Sequence, residues 1–179
     1  MNHDHEGKVR LARLIELSRK EARVLRKTTE RIRDSAPDLE WVKGLETNEP
    51  DSEMLDAFVS RFGRLQDTLG NKVIPFMLRE GLETVGTLLD NLSRAEALGW
   101  IPSMEEWILC RELRNRLIHE YMNSPEDLLS ALRAALEVVP VLMEVGERLE
   151  AQALRWGILV KAQGESGRGS DWGRELDRS

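Results

Sequence analysis

Apolar residues return every three or four positions in five separate segments of this chain, a spacing that only an amphipathic helix can bury along one side. The first segment runs from about Lys8 to Arg33, with Leu11, Ile15, Ser18, Ala22, Leu25 and Ile32 on its inner stripe. A second starts at Asp51 or Ser52, both suitable N-caps, and carries Leu55, Phe58, Phe62, Leu65 and Leu69 inward. Gly70-Asn71 should weaken it and Pro75 should kink it. A third covers about Leu82 to Leu98 with Val85, Leu88, Leu89 and Leu92 inward, and Gly99 closes it. Ser103 and Glu106 open a fourth in the Ser-x-x-Glu capping pattern, anchored one turn on by Trp107. Ser124, Pro125 and Asp127 open a fifth, which runs to about Leu159 on Leu128, Leu132, Leu136, Val139, Leu142 and Leu149, with a bend at Pro140. Between the first and second segments, Asp34 to Asp51 is broken by Pro37, Gly44, Asn48 and Pro50, leaving Leu39, Trp41, Val42 and Leu45 for one short helical turn.

The expected fold is all-α, an up-down bundle of four to five helices over residues 8–160. Residues 1–7 are expected to form a flexible N-terminus, and residues 161–179, rich in Gly, Ser and charge, a disordered tail. Trp172 stands out in that tail, either as a docking residue or as a residue with no role. Charged residues are 32% and aromatics 5% of the chain, which suits helices better than sheets. A net charge of -6 argues against a general nucleic-acid binder, yet the first helix is strongly basic. Its Lys and Arg residues form either a solvated face or a platform for RNA backbone or an acidic partner. The single Cys110 excludes an intrachain disulfide and reads as a small buried residue. No run of about 20 apolar residues offers a membrane span, and the first residues lack the apolar core of a signal peptide. A cytoplasmic protein is therefore expected. His3, Asp4 and His5 could chelate a metal loosely, but an exposed, frayed terminus is the plainer reading.

The fourth segment carries the chemistry. Its stretch RELRNRLIHEY, Arg111 to Tyr121, holds the only histidine outside the first five residues. Leu113, Leu117 and Ile118 recur at helical spacing and give it a buried side. Arg111, Arg114, Asn115, Arg116 and Tyr121 surround His119, and side chains of these kinds grip phosphates and move protons. Acid–base chemistry at a phosphodiester needs a group that exchanges a proton near pH 7 and a cation for the phosphate. His119 suits the first task and Arg114, with its bidentate guanidinium, the second. Asn115 can donate to a phosphate or orient the histidine, and Arg111 and Arg116 add supporting charge. No Asp/Glu/His cluster at ligand spacing accompanies them, so neither a metal nor another cofactor is expected. Arg114 and His119 lie about 140° apart around an ideal helix and roughly 7.5 Å along it. One regular helix cannot aim both at one phosphate, so either the helix loosens near His119 or the site is shared between two chains, and both options favour a groove at a dimer interface. In the stretch RFGRLQD, Arg64 and Asp67 lie three apart, either as an exposed ion pair or as a group that orients the motif helix.

The string Arg114-Asn115-x3-His119-x-Tyr121 resembles the R-x4-6-H motif of HEPN domains, and more closely the R-x4-H-x-Y form found in HepT-type toxins. The layout of a long first helix, a core second helix, a motif helix and a Pro-started final helix is similar over about residues 8–155. The Asp34 to Asp51 segment, RFGRLQD and the tail depart from the family or lie outside it. The resemblance implies a homodimeric, metal-independent endoribonuclease, with Arg114 and His119 catalytic and RNA (tRNA among the candidates) as substrate. It also implies a partner, a minimal nucleotidyltransferase antitoxin of the MntA type, that attaches AMP to Tyr121. Bulky anionic groups beside Arg114 and His119 would block a phosphate site. Two other classes remain open: a non-catalytic helical adaptor that binds nucleotide or docks a nucleotidyltransferase, and a purely structural dimerisation module. Burial discriminates, since deeply packed, fully paired Arg114 and His119 favour structure, and an open positive groove favours RNA.

Overall fold

The periodic stripes become helices in a computed structural model that describes residues 2–120 and 124–158. Among these residues the chain is all-helical, with no strand. Helix α1 spans Asn2–Asp34, so it begins before Lys8, and Glu6 near its start suits the positive end of the helix dipole. Leu11, Ile15, Leu25 and Ile32 are buried as the spacing predicts, with Thr28 and Thr29 between them. The hydroxyls of Thr28 and Thr29 donate to the carbonyls of Val24 and Leu25, one turn back, which lets them sit in the interior.

Helix α2, Leu39–Lys43, and a following 3-10 turn over Gly44–Glu46 fold the Pro- and Gly-punctuated segment down, burying Val42 and Leu45. Asp38 caps α2 by accepting from the Trp41 N–H at 2.8 Å. Helix α3, Glu49–Thr68, is capped by Asn48 rather than by Asp51 or Ser52, and Pro50 occupies its first turn. It packs against α1, helix α6 (Met104–Glu120) and helix α7 (Pro125–Arg155). Its Leu55, Phe58, Phe62 and Leu65 are at most 1% exposed, and Phe58 and Phe62 stack at 5.8 Å.

The chain does not end its helix at Gly70-Asn71. It widens into a π turn over Leu69–Val73 and continues as helix α4, Ile74–Glu80. Pro75 explains the wide turn: it has no N–H for the carbonyl four residues back, and its ring would collide with that carbonyl in a regular helix. Gly70 sits in the turn against Trp107 of α6. Pro140 in α7 raises the same difficulty by leaving the Leu136 carbonyl without its helical donor. Arg33 of α1 reaches across and donates to that oxygen at 2.8 Å. One of the basic residues of α1 thus stitches the first helix to the last.

The third predicted segment is shorter than its apolar pattern suggests. Helix α5 covers only Leu88–Ala97, because Thr87 and Asp90 form a reciprocal capping box and Leu82 takes a φ of 59°. Leu92 is buried, but Val85 and Leu89 are exposed, against the expectation that they face inward. Gly99, at φ 73°, closes the helix as expected, and Trp100 and Ile101 turn back into the core. Helix α7 stops at Arg155, where Gly157 takes a φ of 69°, and Trp156 meets Trp100 edge-on at 5.8 Å. No described helix is long and apolar enough to cross a membrane. The expected disordered tail and Trp172 lie outside the described residues.

Gly70→Ala would place a methyl carbon 2.8 Å from Cζ2 of Trp107, itself 2% exposed and unable to retreat. A loss of about 1–3 kcal/mol is expected in urea unfolding. Gly44→Ala, with nothing within 4 Å of the new atom, should unfold like the native chain.

Candidate functional site

Helix α6 starts where predicted, with the Ser103 hydroxyl accepting from the Glu106 N–H at 3.3 Å. Trp107, Cys110, Leu113 and Leu117 form its buried side. Ile118, predicted to join them, is instead 50% exposed, because it lies a further 100° or so around the helix from Leu117. Burial, aided by the Glu106 charge, pushes the Cys110 thiol up to about 12, so the residue is an inert part of the core.

Arg114 leaves this helix sideways and lies across α3. The crossing is possible because position 63 is a glycine: a Cβ there would sit 2.7 Å from Nε of Arg114. Its guanidinium then reaches Asp67, one turn further along α3, at 3.6 Å. Asp67 thus pairs with Arg114 of the motif helix rather than with Arg64, three residues away. Asp67 also accepts from the Asn71 side chain at 3.5 Å.

A groove of about 360 Å³ opens over this pair, lined by Val59, Ser60, Gly63, Arg64, Asp67, Thr68, Lys72, Arg114 and Ile118. Three of its lining residues are cationic and one is anionic, in a chain whose net charge is -6. Beneath the rim, Glu21 of α1 is 8% exposed, and one of its carboxyl oxygens has no hydrogen-bond partner. Burial raises its pKa above the ordinary carboxylate value of 4.5, and the Asp67 charge adds to the rise. The Thr68 hydroxyl, which hydrogen-bonds to the carboxyl, and the charges of Arg64 and Lys72 act in the opposite sense.

The other predicted residues face elsewhere. Arg111, Asn115 and His119 follow one another at i, i+4 and i+8 and form an exposed polar row along α6. Arg116 is exposed on another face. His119 does not line the Arg114 groove, so the two motif residues point apart, as the helix geometry requires. Tyr121 lies outside the described residues. His5 is exposed, and the side chains of His3 and Asp4 are not described. No group of three or more His, Cys, Asp or Glu side chains able to hold a metal occurs among the described residues.

Lys72, Gly63 and Glu21 escaped the sequence reading. Gly63 carried a signal, since a glycine inside a helix costs up to about 1 kcal/mol relative to alanine and suggests a close approach. Lys72 and Glu21 carried none, because their places depend on the π turn and on the packing of α1 against α3. No known protein family, curated protein or solved structure matches this chain.

Glu21 fixes a pH dependence. The raised pKa means that the folded chain holds a proton which the unfolded chain releases. Its contribution to stability is fully present below pH 4.5 and is lost as pH rises through the raised value. Glu21→Gln, which removes the ionisable group, should gain stability relative to the native chain as pH rises through that range. In paired urea titrations the gain should shrink at acid pH, and a constant gain would show that burial of the charge is not its source.

Proposed function

We propose that this chain is a metal-independent endoribonuclease of the HepT type, using Arg114 and His119 in a site completed by a second copy. The observation that carries the reading is Arg114, half-buried beside an open groove with three cations and one anion, on the helix that also exposes His119. A guanidinium in that place suits a phosphoryl oxygen pair, and an exposed imidazole suits proton exchange at pH 7.

The opposed directions of the two side chains support the dimer. In one chain they cannot meet a single phosphate; across a two-fold axis, Arg114 of one copy and His119 of the other can. The half-exposed Ile118 beside Arg114 offers such a partner apolar surface to cover. In this reading Arg111 and Asn115, in one row with His119, hold flanking phosphates or the imidazole itself, and Arg116 adds supporting charge. Tyr121, two residues beyond His119, is the place where a nucleotidyltransferase partner of the MntA type would attach AMP and close the site. One observation favours the non-catalytic adaptor instead: the Asp67 ion pair gives Arg114 a structural use within its own chain.

The test is cleavage of total RNA, tRNA included, by the purified chain in EDTA. His119→Ala and Arg114→Ala should each lower the rate by about a hundredfold or more. Equal cleavage by His119→Ala would sink the reading. So would no cleavage by a native dimer whose Tyr121 is shown by mass spectrometry to be unmodified. Gly63→Ala refines the assignment. Its methyl must push the Arg114 side chain aside, while alanine suits the helix at least as well as glycine. Cleavage should fall about tenfold or more with the unfolding midpoint little changed, and a parallel loss of stability would make Arg114 a structural residue.

A further inference from the structure

We infer that the groove over α3 is a subsite for one phosphodiester of single-stranded RNA, held by Arg64, Lys72 and Arg114, with Asp67 keeping its place until RNA arrives. The inference deepens the ribonuclease reading, on which it rests for the choice of RNA, and it assigns Arg64, Lys72 and Asp67, none of them in the motif.

Three features build the subsite. The first is the alignment of Arg64, Thr68 and Lys72 along one side of α3. In an unbroken α-helix each step of four residues drifts by about 40°, so Lys72 would stand roughly 80° away from Arg64. The π turn over Leu69–Val73 takes more residues per turn and offsets that drift. Lys72 consequently lines the same groove as Arg64, with Thr68 between them. Pro75, which forces the wide turn, is in this sense a device for placing a lysine.

The second feature is the state of Arg114. Its contact with Asp67 is 3.6 Å long, an ion pair beyond ordinary hydrogen-bond length. The carboxylate is about half exposed, where such a pair contributes little. A phosphodiester can replace it with shorter, charge-assisted hydrogen bonds to a guanidinium that Gly63 already holds in place. Asp67 thus acts as an internal stand-in that keeps Arg114 extended across α3.

The third is charge and size. Arg64, Lys72 and Arg114 against Asp67 leave the lining with an excess of two positive charges. That excess stands out because the whole chain is acidic. A groove of about 360 Å³ is at the small end for ligand sites, enough for one nucleotide unit and too small for a duplex. Ile118 and Val59 at its edge supply an apolar surface for a base or sugar.

The experiment measures binding apart from cleavage. A short fluorescent 2′-O-methyl RNA, which lacks the reactive hydroxyl, is titrated at several salt concentrations into the native chain, Arg64→Ala, Lys72→Ala, Lys72→Glu and Asp67→Asn. Arg64 and Lys72 are exposed, so the variants should fold, and circular dichroism checks this. Arg64→Ala and Lys72→Ala should each weaken binding about tenfold and flatten its salt dependence by somewhat less than one counterion. Lys72→Glu should weaken binding further, and Asp67→Asn should tighten it severalfold. Native binding with unchanged affinity and salt slope in the Arg64 and Lys72 variants overturns the subsite and leaves the ribonuclease reading intact. Weaker binding by Asp67→Asn overturns the stand-in. Binding that depends on Arg64 and Lys72, in a chain that cleaves no RNA, supports the subsite while the ribonuclease reading fails. No RNA binding by the native chain overturns both.

Discussion

The approach of α6 to α3 rests on two glycines. Gly70 and Gly63 lie seven residues apart on the run from α3 into the π turn, and Trp107 and Arg114 lie seven apart on α6. Trp107 fills the first notch and Arg114 the second, so the two stretches run antiparallel in a register fixed at both ends. One notch takes a fully buried aromatic anchor and the other an arginine stem whose head emerges at the surface. The same approach that packs the bundle therefore sets where the Arg114 side chain emerges. A larger residue at Gly70 would press on the Trp107 ring, and one at Gly63 would displace the Arg114 side chain.

The two prolines show how backbone defects are absorbed here. Each removes a helical donor, and each is answered differently. At Pro140 the stranded Leu136 carbonyl receives Arg33 from α1, so the defect in the last helix becomes a tie to the first. At Pro75 the helix widens into a π turn, which alters the direction of the residues after Thr68. One defect strengthens the packing and the other shapes the groove.

Much of the fold was legible in the sequence because helix burial is a local, periodic property. The stripes on α1, α3 and α7, the caps at Ser103 and Ser124, and the turn at Gly99 all follow from residue type and spacing. Failures came where two local signals competed. Val85 and Leu89 fit a helical stripe, but the Thr87-Asp90 capping box and the positive φ at Leu82 start the helix later. For the candidate site, residue types singled out Arg114 and His119, and helix geometry placed them on different faces of α6. Spacing could raise Asp67 as a group acting on the motif helix but could not choose its partner. It offered Arg64, three residues away, whereas the pair formed is with Arg114, forty-seven residues on. Lys72 and Glu21 join the groove only through tertiary packing, which no short window of sequence reports.

The charges around α3 then make sense as one arrangement. Arg114, Arg64 and Lys72 repel one another, and an empty groove holding all three would oppose folding. Asp67 on the open side tempers that repulsion, and the Glu21 carboxyl lies near Arg64 and Lys72 on the buried side. Their environments differ: Asp67 is hydrated and can yield to a ligand, whereas Glu21 is desolvated, with one oxygen unpartnered. Desolvation draws Glu21 toward its neutral form, which would leave the groove more positive without moving a residue. An anion that displaces Asp67 takes over the same balancing task and adds hydrogen bonds that the longer ion pair lacks. A phosphodiester suits that exchange, because the Arg114 guanidinium and the Lys72 ammonium can approach its two non-bridging oxygens from separate elements.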